Sequence, residues 1–112
     1  MNQVLIRVAW LTAAQGGRRA LPAGPDFTTV VRFDHQPIES WMRNAHSLRL
    51  VWLDQADSGS WYALASFLNP DGAPNWLLPG SSFDLCDGPR PVARASVLSP
   101  STVVDRIRTL AA

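Results

Sequence analysis

His35 and His46, with Asp34 and Glu39 close by, are the first side chains of this 112-residue sequence that could hold a metal ion. The two histidines stand eleven positions apart, so neither an i, i+2 nor an i, i+4 spacing brings both imidazoles to one ion. The reading is two solvated histidines in a polar linker, and no metal is expected. Cys86 could act as a nucleophile, but Asp87 follows it, and a neighbouring carboxylate favours the protonated thiol. It is therefore assigned to packing in a strand. Asp34, Glu39, Asp54 and Asp57 could pair for general acid and base work, yet they fall in or beside segments that read as turns, where such residues ordinarily sit. No catalytic residue is assigned, no cofactor is expected, and the chain is read as non-enzymatic.

Arginine and tryptophan offer binding rather than catalysis. Arg18 and Arg19 follow the pair Gly16-Gly17, and Arg90 and Arg94 flank the last turn, so the four could form a composite basic patch. The competing reading is that Arg18 and Arg90 tie turns by donating to backbone carbonyls. Trp41 and Trp76 fall between strands, and an exposed pair would mark a binding patch, whereas a buried pair would plug the ends of the fold.

Composition limits the classes available. A chain with 46% hydrophobic and 17% charged residues has enough apolar surface for one core, so residues 1–112 are read as one domain. Five tryptophans, at positions 10, 41, 52, 61 and 76, bury about 150 to 250 Å² each when enclosed, so most are expected in that core. Formal net charge is +1 and all ten basic residues are arginine. Without lysine there is no Gly-x-x-x-x-Gly-Lys-Ser/Thr loop, and no nucleotide is expected. A single cysteine gives no disulfide framework and points to a cytoplasmic setting. The opening MNQVLIRVAW is broken by Arg7 and lacks a basic leader, which makes it a strand and not a signal peptide. No apolar run reaches the ~18 residues that span a bilayer, so no membrane contact is expected.

Val4, Ile6, Val8 and Trp10 alternate with their neighbours and predict a first strand over about 3–11. β-Branched, aromatic and alternating runs predict further strands over about 27–34, 47–54, 61–68, 82–86 and 92–98. Between the last two, Asp87-Gly88-Pro89-Arg90-Pro91 can only be a connection, and Gly88 is expected at positive φ. Gly16, Gly17, Gly80 and Gly88 are read as structural turn residues. Ser99-Pro100-Ser101 followed by Val103, Val104, Ile107 and Leu110 predicts a short amphipathic helix over about 101–110. Six short strands joined by Gly- and Pro-rich turns predict an all-β fold, a barrel or a sandwich.

Two segments resemble the C-terminal β-barrel domain of translation elongation factor Tu and its small stand-alone bacterial relatives. The first runs from Trp10 through Gly16-Gly17-Arg18-Arg19 and Leu21-Pro22 into Phe27–Phe33, similar to that domain's strand, Gly-Gly-Arg turn and aromatic strand. The second is Leu78-Pro79-Gly80 with Phe83-Asp84-Leu85 and Asp87-Gly88-Pro89-Arg90-Pro91-Val92-Ala93, similar to its Pro-Gly turn and Glu-Gly-x-Arg hairpin. Gln15 stands where the relative has an acid, and Asp87 where it has Glu. The resemblance implies a closed six-stranded antiparallel Greek-key-type barrel without the GTPase, and a fold alone carries no activity across. The functional expectation is an interaction module that binds an unidentified protein partner. The alternative is an RNA-associated, translation-related module that uses Arg18, Arg19, Arg90 and Arg94, with affinity for tRNA or rRNA that falls steeply with salt.

Overall fold

The computed structural model describes residues 3–12, 26–57 and 59–98. Six strands, β1 (Val4–Trp10), β2 (Asp26–Phe33), β3 (His46–Asp57), β4 (Ser60–Phe67), β5 (Ser82–Asp87) and β6 (Arg90–Val97), close into an antiparallel barrel in the order β1-β4-β3-β2-β5-β6. The meander β2-β3-β4 with β1 returning beside β4 is a Greek-key arrangement, and closure decides for a barrel where the strand pattern allowed a barrel or a sandwich. Closure leaves no unpaired sheet edge in the barrel wall. The predicted helix over 101–110 and the glycines Gly16 and Gly17 lie outside the described residues.

Period-2 patterning decides which side chains enter the barrel. Ile6 and Val8 of β1, Val31 and Phe33 of β2, Leu48 and Leu50 of β3, and Phe83 and Leu85 of β5 are buried on the inner face. Small residues stand opposite the large ones: Ala63 pairs with both Ile6 and Trp52, Ala65 with Leu50, Ala93 with Leu85, and Ala95 with Phe83. A six-stranded barrel has a narrow lumen, and alternation of large and small residues fills it without strain.

That narrowness corrects the expectation for tryptophan. Trp41 alone is fully buried, whereas Trp10, Trp52, Trp61 and Trp76 are half-buried. An indole is too wide for the lumen, so the rings stack at its ends. Trp10, Phe27 and Trp52 form one cluster with ring centroids 5.7 to 6.2 Å apart.

β3 also runs three residues further than the pattern predicts, to Asp57, because bulges after Trp52 and Gln55 let it pair with the start of β4 after the alternation has broken. Asp54 and Asp57 therefore belong to a strand and not to a turn. Gly88 has φ +60°, as expected, and Gly80 has φ +86°.

Candidate interaction surface

The connections β2–β3 (residues 34–45) and β4–β5 (68–81) leave the barrel at the same end, where β2 and β4 finish and β3 and β5 begin. The β5–β6 turn at Gly88-Pro89 lies at the opposite end; Asp87, Arg90 and Pro91, expected in the connection, are paired in the strands instead. Trp41 and Trp76 thus come to one end of the molecule, one on each connection.

Gln36 organises the first connection, and nothing in the sequence marked it. Its side chain is buried, its Oε1 accepts from the Phe33 backbone N–H at 2.9 Å, and its Nε2 donates to the Asn44 carbonyl at 3.3 Å. Arg32 donates to the Gln36 carbonyl at 2.9 Å, and the Trp41 N–H donates to the Pro37 carbonyl at 2.9 Å. Trp41, in the 3-10 turn Trp41–Asn44, is held inward at 5% exposure, so its ring offers no contact surface.

The second connection is held differently. Between Asn69 and Pro79 its backbone bonds outside regular elements stay within the connection, from Ala73 N–H to the Pro70 carbonyl at 3.2 Å and from Ser81 N–H to the Leu78 carbonyl at 2.9 Å. Trp76 anchors it through its ring, which meets His35 at 4.4 Å, His46 at 5.1 Å and Phe33 at 5.3 Å between centroids, all edge to face. His46 opens β3 and is half-buried there, and only His35 is exposed in the linker. The two imidazoles thus meet on one indole. Among the described residues no group of three or more His, Cys, Asp or Glu is placed to hold a metal.

Open hollows undercut this connection. One of about 750 Å³ lies between it and the start of β1, lined by Gln3, Val4, Phe67 and Pro74. Others of about 350 and 330 Å³ flank His35 and His46 respectively. Only Trp76 and Leu77 of this connection pack onto the core.

Arg94 and Arg90 are both spoken for. Arg94 donates to both oxygens of Asp34 at 2.6 and 2.5 Å and to Asp84 at 3.1 Å, and Arg32 reaches the other Asp84 oxygen at 3.2 Å. Register builds this network, since Arg32, Asp84 and Arg94 lie opposite one another on β2, β5 and β6 and face outward together. The hydrogen bonds from Arg94 hold the Asp34 carboxyl below its ordinary range. Asp34 in turn pushes the Arg94 guanidinium up. Arg90 pairs with Asp87 at 3.4 Å across its own turn, a carboxylate where the sequence suggested backbone carbonyls. Arg18 and Arg19 lie outside the described residues.

Cys86 is buried, and its thiol is pushed up to about 11, first by burial and then by the charge of Asp84. The carboxylate that matters is Asp84, two residues back, and not Asp87.

Five large hydrophobic side chains stand out to solvent among the described residues: Ile38, Met42, Leu53, Leu68 and Leu78. Four of them sit on or beside the two connections just described; only Leu53, on β3, is elsewhere. In the sequence the tryptophans stand out and these four do not. The available signal was Ile38 and Met42, four apart in an otherwise polar linker. No helix among the described residues is long and apolar enough to cross a membrane. Comparison of the chain with protein-family models, characterised proteins and solved structures finds no match.

Proposed function

We propose that this chain is a non-enzymatic interaction module that binds a protein partner through the barrel end built from residues 34–45 and 68–81. The observation that carries this reading is the clustering of exposed apolar side chains there: Ile38 is 74% exposed, Leu68 54%, Met42 49% and Leu78 48%. Exposed apolar residues concentrated at one site, above a loop held by buried hydrogen bonds, are what a pre-organised protein interface requires. The arginines favour protein over RNA. Of six described arginines, Arg7, Arg32, Arg49, Arg90 and Arg94 already hold aspartates, leaving Arg43 without a carboxylate partner among the described residues. An RNA contact would then rest on Arg18 and Arg19.

The elongation factor Tu-like origin of the barrel belongs to the same proposal, supported by strand number and antiparallel closure and by the two quoted motifs. A cytoplasmic setting belongs to it too, in keeping with a single buried thiol. The test is capture from the native host with tagged wild-type chain and with the Ile38→Asp/Met42→Asp variant. A protein retained by the first and lost by the second is expected; identical recovery by both would overturn the assignment of this surface.

A further inference from the structure

We infer that the partner of this surface is a second copy of the chain, docked through a two-fold axis beside Ile38 and Met42; this rests on the interaction reading above. Four side chains of the first connection point away from the barrel: Ile38 and Met42, which are apolar, and Glu39 and Arg43, which are charged, all exposed. Trp41 between them turns inward, and the Gln36 bonds hold the segment in place, so these four are presented on a rigid base.

The charges identify the occupant. Every other described arginine is neutralised by an aspartate of its own chain, whereas among the described residues Arg43 has no carboxylate partner and Glu39 no cation. Spaced i, i+4, the two could pair with each other on a regular helix, yet here they do not. A two-fold axis requires that when Glu39 of one copy meets Arg43 of the other, the reverse pair forms as well. Both charges are then matched twice, with Ile38 and Met42 enclosed between them. Asp71 on the neighbouring connection, also without a cation among the described residues, supplies a further acceptor for Arg43. A nucleic acid would meet one arginine and two carboxylates here, and a strongly charged protein would satisfy only one sign.

The test is sedimentation equilibrium of the full chain from about 10 µM to 1 mM, at low salt so that exposed pairs are not screened. A mass rising from one to two copies is expected. Arg43→Glu and Glu39→Arg should each weaken association about tenfold or more, and the double swap Glu39→Arg/Arg43→Glu should restore it to within about threefold. All four positions are exposed, so unchanged thermal melting will show that the variants fold. A single-copy mass throughout, or a double swap no better than the single ones, overturns the inference. Ile38→Asp separates the two readings. If the chain stays single but Ile38→Asp still loses a captured protein of another kind, self-association falls and the interaction surface stands. If capture is also unchanged, both fall.

Discussion

Arg94 grips both carboxylate oxygens of Asp34 across the barrel wall, at 2.6 and 2.5 Å, while the same guanidinium bonds Asp84 at 3.1 Å. A surface arginine offered for phosphate recognition is thereby turned into a strut that joins the end of β2 to β5 and β6. Arg32 bonds Asp84 from the other side, so two cations and two anions lie on one outward face. Such a network ties strands together and leaves little positive potential for a ligand.

That grip has a signed pH dependence. The carboxyl of Asp34 is depressed in the folded chain, chiefly by the bonds from Arg94. Its contribution is present above the unfolded carboxyl range near pH ~4 and is lost as pH falls through the folded value. Asp34→Asn should flatten the stability profile below about pH 4, read by urea unfolding at successive pH values. Equal slopes in the two chains would show that the bond carries no such dependence.

Gln36 should be costly to replace. Without Oε1 the N–H of Phe33 is buried with no acceptor, which costs about 1 to 3 kcal/mol. Gln36→Ala is therefore expected to lower the unfolding free energy by that amount. Gln36→Glu, which keeps the acceptor but loses the donor to Asn44, should lie between the two. Thermal and chemical unfolding of the three chains give the ordering.

Cys86 should be inert in the folded protein. Its thiol is buried and raised to about 11, so a disulfide reagent at pH ~8 should label it only slowly and at full rate after denaturation. Prompt stoichiometric labelling of the native chain would contradict its placement.

Gly88 isolates a backbone effect. It has φ +60°, and a Cβ there would meet no atom within 4 Å, so substitution strains the main chain without a clash. Gly88→Val is expected to lose roughly 1 to 2 kcal/mol, and Gly88→Asn less, since Asn tolerates the left-handed region better. A wild-type melting temperature for the valine variant would remove the turn assignment.

Strand identity and strand order in the chain were local matters, decided by alternation in segments such as Val4–Trp10 and by turn residues such as Gly88-Pro89. The sequence by itself therefore determined the six strands of the described residues, with the buried and outward sets of most of them, because a side-chain period of 2 is a property of the strand alone. It did not determine the length of β3, whose end follows from bulged pairing with a distant partner. Nor could it show that Arg32, Asp84 and Arg94 would fall into one row, since register across β2, β5 and β6 joins residues 10 and 52 positions apart. The same holds for the candidate surface. Ile38 and Met42 were visible as apolar residues in a polar stretch, but only barrel closure brings them to the end that also carries Leu68 and Leu78. The indole of Trp76 likewise finds His35 and His46 because β2 and β4 finish and β3 and β5 begin at that end. Fold class resides in local patterning, whereas the surface depends on which distant segments the closed barrel makes neighbours.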